Sequence, residues 1–152
     1  MNKYIDLSIF NVMPFLTYVK MNSIELSVNL VDFSAEEVAV GYTRYDYVTQ
    51  SVSNATKLVC YVYALSTSPL LSVVNVYKGI NWLERECWDM HGTLFIGHPD
   101  LRRILTDYGY RWHPLKKDFP LIGHIESFYD ELIKGITYVP VEMAQAFRDF
   151  NK

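Results

Sequence analysis

A chain of 152 residues, half of them hydrophobic and a fifth charged, suffices for one domain, or one domain with a tail, around a genuine core. Such a balance excludes global disorder. A formal net charge of −3 with no basic block argues against nucleic acid as the partner. No run approaches the ~18 apolar residues of a membrane-spanning helix, so any membrane association is expected to be peripheral.

In sequence order, Ile5, Leu7 and Ile9 alternate between Tyr4 and Phe10, a strand signal. Asn11 reads as an N-cap with Pro14 in the first turn, and Phe15, Leu16 and Val19 form a helical stripe to about Met21. The alternation over Ile24–Leu30 predicts a second strand, with a right-handed crossover if the two strands are parallel. Val38–Thr49 and Lys57–Leu65, rich in Val and Tyr, flank a polar loop and predict an antiparallel hairpin. Ser66-Thr67-Ser68-Pro69 punctuates the sequence before Val73, Val74 and Val76. The sum is an α+β domain: a small mixed sheet of about four strands with helices packed on it.

The run from Asn81 to Gly92 predicts a helix of roughly ten residues. Asn81 with Glu84 three residues on makes a capping-box pattern, Gly92 suits a left-handed C-cap, and Leu83, Cys87 and Met90 form an apolar stripe. Glu84, Arg85, Glu86 and Asp89 alternate with Trp82 and Trp88, so some of these charges should be buried and need partners. Arg102, Arg103, Lys116 and Lys117 are the candidates, and losing Arg85 is expected to strand a buried carboxylate. Pro99 is expected to open a short second helix presenting Leu101, Ile104 and Leu105 to the core, ending at Thr106–Gly109. Prolines at 114, 120 and 140, with Gly123 and Gly135, predict an extended C-terminal tail, so that the domain covers residues 1–122 and the tail 123–152. The tail nevertheless carries Ile125, Phe128, Tyr129, Ile136 and Tyr138, and Val141–Phe150 is expected to form a short helix when docked.

Chemical constellations are thin. Cys87 and His91 share a helical face at i,i+4, and His98, His113 and His124 follow, but zinc needs four ligands and no second short-spaced pair exists. Glu84 and Glu86 point to different faces of one helix, which does not suit a shared substrate. Cys60 and Cys87 lie in apolar patterns, reduced and buried, and two thiols alone do not hold an iron–sulfur cluster. There is no phosphate loop and no dinucleotide fingerprint. The N-terminus reads as neither a transit nor a signal peptide.

The signature does carry a resemblance. Asn81-Trp82, Glu84-Arg85-Glu86, Asp89-Met90, Gly92, Gly97–Leu105 and Pro114–Pro120 resemble, in order and spacing, the 30 kDa subunit of respiratory complex I, the NADH:quinone oxidoreductase. This family includes the mitochondrial NADH dehydrogenase subunit 9 type. The match runs through about forty residues, which makes it far more specific than a lone short motif. His91 departs from a site that is usually bulky and apolar, and Lys116 from one that is mostly Arg. The resemblance implies a subunit of the proton-translocating NADH:quinone oxidoreductase with no catalytic, cofactor or metal residues of its own. FMN, iron–sulfur clusters and quinone would belong to other subunits. The implied partners are peripheral-arm subunits, chiefly the large 49 kDa-type subunit beside the quinone cavity. The implied place is the matrix side of the mitochondrial inner membrane, or the cytoplasmic side of a bacterial one. Structural and interface roles would fall to Trp82, Glu84, Arg85, Glu86, Asp89, His98, Asp100, Arg102, Arg103, Pro114, Lys116, Lys117 and Asp118. Two other readings stay open: a small thiol enzyme using Cys87 with a histidine, and a binding module of an unrelated assembly.

Overall fold

The computed structural model describes residues 2–22, 29–52, 55–142 and 148. It divides into two compact units, residues 1–116 and 117–152. In the first, strands β1 (Asn2–Leu7), β2 (Asn29–Ala39), β3 (Tyr42–Gln50) and β4 (Lys57–Leu65) form one sheet in the order β1-β4-β3-β2. β1 runs parallel to β4, and the other two pairings are antiparallel, so the sheet is mixed as expected. β1 and β2 therefore occupy opposite edges, and helix α1 (Val12–Asn22) lies between strands that are not neighbours.

Alternation explains the core. Thr43, Tyr45, Tyr47 and Thr49 of β3 are buried opposite Ala64, Val62, Cys60 and Leu58 of β4, all on one face. Val12, Leu16 and Val19 of α1 are spaced at i, i+4, i+7 and complete that core, with Phe33 of β2 wedged among the rings of Tyr45, Tyr47 and Phe95. Fully buried apolar side chains of this size contribute about 1.5–3 kcal/mol each.

Of three expectations, two are corrected and one falls largely outside the described residues. The strand read over Val38–Thr49 is two strands joined by a tight turn at Gly41, whose φ of +82° suits glycine and whose N–H donates to Glu37 Oε1. The strand read over Ile24–Leu30 falls mostly on residues 23–28, outside the described residues; β2 begins at Asn29 and reaches Ala39. Register shifts at Leu30/Asp32 and Glu37/Ala39 bracket a regular run in which Phe33, Ala35 and Glu37 turn inward and Asp32, Ser34 and Glu36 outward. Thirdly, residues 99–109 form no helix. Leu101 still packs against the core, whereas Leu105 is exposed.

A two-residue parallel bridge, β5 (Leu70–Leu71) with β6 (Phe95–Ile96), ties together the segments before and after helix α2 (Asn81–His91). The second unit holds a hairpin, β7 (Ile125–Asp130) with β8 (Gly135–Pro140), so the extended tail includes paired strands. Its turn places Lys134 at φ +55°. The helix expected over Val141–Phe150 lies largely outside the described residues.

Candidate functional site

Helix α2 grows out of a 3-10 turn, Lys78–Ile80, and this displaces the expected cap. Ile80 takes the N-cap position without a side-chain bond, while Asn81 is already helical at φ −48°, ψ −49°. Glu84 is thereby released from capping and turns inward. Its side chain has no accessible surface: Oε2 accepts from Ser72 Oγ at 2.6 Å, and Oε1 accepts from the Val73 N–H at 2.8 Å. Burial pushes the Glu84 carboxyl up to about 7, against these two hydrogen bonds. His98, whose side chain is equally buried, stands with Nε2 3.8 Å from Glu84 Oε2 and 3.3 Å from the Asn81 carbonyl. Because His98 Nδ1 accepts the Asp100 N–H at 3.1 Å, its proton sits on Nε2 and is donated toward Asn81.

Asp89, also fully buried, serves a different loop. Oδ2 accepts the backbone N–H groups of Ile104, Leu105 and Thr106 at 3.2, 2.7 and 2.9 Å. Oδ1 accepts from Thr106 Oγ1 at 2.6 Å and Arg103 Nη1 at 2.9 Å. Burial alone would raise this carboxyl; the Thr106, Leu105 and Arg103 donors outweigh it and bring it down to about 2. Here lies the reason residues 99–109 are not helical: donors that a helix would bond internally go to Asp89 instead. Arg103 Nη1 also donates to the Trp112 carbonyl at 2.8 Å, and the guanidinium lies over the Tyr110 ring.

The helix ends as expected. Gly92 has φ +75°, and its N–H returns to the Trp88 carbonyl. A Cβ there would meet the His113 ring at 2.7 Å, so the position requires glycine twice over. His113 Nδ1 pairs with the Asp89 carbonyl at 3.0 Å, and Leu115 N–H donates to the Met90 carbonyl at 3.1 Å, with half-buried Pro114 between them.

The remaining predicted residues divide. Arg85 pairs with no carboxylate among the described residues: its Nε donates to the Arg102 carbonyl at 3.2 Å and its guanidinium lies over Trp82. The stranded-carboxylate expectation thus belongs to Arg103, not Arg85. Arg102 pairs with exposed Asp100 at 2.9 Å. Trp82 is 69% exposed and Glu86 faces solvent. Lys116 is half-buried and does not join the two buried carboxylates; Lys117 and Asp118 are exposed and belong to the second unit. Sequence reasoning missed Ser72, Val73 and Thr106, whose only signal is a polar residue or turn inside an apolar run. It also missed the Tyr45 hydroxyl, 2.9 Å from Thr93 Oγ1.

Burial pushes the thiols of Cys60 and Cys87 up to about 11 and about 12, which makes both poor nucleophiles at neutral pH. His91 is buried, its pKa is lowered by that burial, and its Nδ1 has no hydrogen-bond partner among the described residues. Among the described residues no three His, Cys, Asp or Glu side chains are grouped to hold a metal, and no helix is long and apolar enough to cross a membrane.

The chain is similar to known proteins both in sequence and in fold. The family model described as "Respiratory-chain NADH dehydrogenase, 30 Kd subunit" matches residues 8–124. A Rhizobium etli relative, the C-type subunit of NADH-quinone oxidoreductase, is 43% identical over 93% of this chain and 72% of its own length. The mitochondrial 30.4 kDa subunit of NADH-ubiquinone oxidoreductase from Neurospora crassa is 42% identical over 92% of this chain and 50% of its own. In fold, the protein resembles a chain from the membrane-bound sulfane sulfur reductase, an archaeal respiratory membrane complex. That likeness has a TM-score of 0.67 at 19% identity and covers 79% of this chain and 74% of that one. The protein belongs to the 30 kDa subunit family of the respiratory-chain NADH dehydrogenase. It is accordingly a subunit of the NADH-quinone oxidoreductase complex, complex I, and its partners are other subunits of that complex.

Proposed function

We propose that this protein is a non-catalytic peripheral-arm subunit that helps to assemble and hold the quinone-reducing module, seated chiefly against the large 49 kDa-type subunit. One observation carries this reading. The two buried carboxylates of the signature, Glu84 and Asp89, are consumed in fixing the protein's own loops at 72–73 and 104–106. Groups buried and tied up in this way organise a surface and meet no substrate. FMN, iron–sulfur clusters and quinone then reside in neighbouring subunits. The location that follows is the matrix face of a mitochondrial inner membrane or the cytoplasmic face of a bacterial one, since relatives of both kinds match.

Residues 1–122 serve as the folded body and 123–152 as the docking tail. Supporting this, Tyr129, Ile136 and Tyr138 of the hairpin are each more than half exposed, apolar surface that a subunit interface covers. Native electrophoresis tests the proposal: the full-length protein should co-migrate with NADH dehydrogenase activity, and a version truncated after Gly123 should fold yet fail to incorporate. Normal incorporation of the truncated version would overturn the tail's role. Migration of the full-length protein apart from the activity would overturn the subunit's.

A further inference from the structure

An open cleft of about 700 Å³ lies on the outer side of α2, and none of the roles above uses it. Its lining includes Trp82, Arg85, Arg102, Arg103, Asp107 and Tyr108. The three arginines differ in what they have left to offer. Arg103 is committed to Asp89 and the Trp112 carbonyl. Among the described residues Arg85 and Arg102 are hydrogen-bonded only at Nε, by the Arg102 carbonyl and by Asp100 Oδ2 respectively, and the Arg85 guanidinium also lies over Trp82. Their Nη groups make no hydrogen bond among the described residues, so the end-on pair of donors of each lining arginine stays available to a ligand of the cleft. Beside them Trp82 and Tyr108 expose most of their rings.

We infer that this cleft receives an acidic side chain of a neighbouring complex I subunit, carried on a segment whose adjacent apolar residue covers Trp82. The inference rests on the subunit reading above and names the chemistry of the contact. A carboxylate matches the planar fork of a guanidinium in bidentate fashion, and desolvation beside an indole strengthens the pair. Trp, Tyr and Arg together are also the residues that dominate interface energetics. The local acids leave the forks open: Asp89 is buried and saturated with donors, Asp100 holds Arg102 at Nε, and Asp107, which also lines the cleft, makes no ion pair with Arg85 or Arg102 among the described residues. An anionic lipid headgroup offers similar oxygen atoms, but a membrane surface would meet the whole protein, whose net charge is −3, and be repelled.

The test uses the assembled complex. A photo-crosslinking benzoylphenylalanine is placed at Tyr108, which is wholly exposed, and the adduct is sequenced. The expected adduct is a peptide of another complex I subunit with Asp or Glu within about three residues of the crosslink, roughly one side chain's reach. A lipid adduct, a peptide without a nearby acid, or no adduct in fully assembled complex overturns the inference. In parallel, Arg85→Glu and Arg102→Glu should each lower salt-resistant retention of the protein about tenfold, the size of one lost interfacial charge pair. Arg85→Lys should lose less, and reversing the identified partner acid to Lys should restore retention of the Arg→Glu variant. Loss of retention that the swap does not restore reports misfolding and counts against the inference. Co-migration of the unmodified protein with NADH dehydrogenase activity separates the two claims. If it co-migrates and the crosslink fails, only the cleft assignment falls; if it does not, both do.

Discussion

Asp89→Asn removes one charge and keeps the shape, which makes it the sharpest probe of the signature. Asp89 accepts five hydrogen bonds, three from backbone N–H groups on Oδ2 and two, from Thr106 and Arg103, on Oδ1. An asparagine carries one oxygen and one NH₂: with the NH₂ at the Oδ2 position three backbone N–H groups face a donor, and with it at Oδ1 the Arg103 guanidinium does, although the Thr106 hydroxyl can turn to accept. Hydrogen bonds to a charged group contribute about 1.5–3 kcal/mol each, and breaking a buried ion pair costs about 3–5 kcal/mol. A second route to the magnitude is the carboxyl's descent from 3.8 to about 2, equivalent to about 2 kcal/mol. It falls below the first figure because a protonated Asp89 would still accept several of these bonds. The sign follows from a depressed carboxyl: the stabilisation is complete above the unfolded value near 3.8 and is lost as pH falls through about 2. At pH 7 the variant should therefore show the whole loss, on the order of 3 kcal/mol or more. Urea unfolding followed by tryptophan emission reports it directly, since Trp88 packs on the His113 ring and Trp112 accepts from Arg103. A loss below about 1 kcal/mol would refute the claim that Asp89 holds residues 104–106 in place.

Glu84 should behave oppositely. Its carboxyl is raised from 4.5 to about 7, so its contribution is greatest below pH 4.5 and declines as pH rises through about 7. Glu84→Gln should flatten the stability difference between pH 5 and pH 8 by up to about 3 kcal/mol; an unchanged pH profile in paired urea titrations would contradict the assignment. Replacing Cys60 and Cys87 with Ala should leave NADH:quinone activity of the assembled complex nearly intact, with packing losses of about 1–2 kcal/mol, and in the native protein neither thiol should react quickly with a disulfide reagent. Loss of activity in fully assembled complex would revive the thiol-enzyme reading. Gly92→Ala combines a left-handed backbone with a contact on the His113 ring, and thermal unfolding should show it destabilised by about 2 kcal/mol or more; a neutral result would mean that His113 swings aside freely.

Features that depend on neighbours in the sequence were legible from the residues themselves. Lys57–Leu65 reads as a strand because it is rich in Val and Tyr, and α1 and α2 read as helices because their stripes repeat at helical spacing. Gly92 reads as a helix stop because left-handed backbone has few occupants. The signature's spacing also carried the family. Where the side chains of that signature go was settled only by packing. Glu84 looked like half of a capping box, but the 3-10 turn before α2 moved the helix start, and Ser72 and Val73 took up its oxygens. Residues 99–109 had a helix's apolar spacing, but Asp89, fifteen or more positions away from the amides it captures, took the donors such a helix needs. The four acids and bases around the tryptophans, Glu84, Arg85, Glu86 and Asp89, looked alike in sequence. Burial separates them, because an ionised group leaves water only where several donors or acceptors converge from elsewhere in the fold, and that convergence exists only once the sheet, the helix and the two loops have packed.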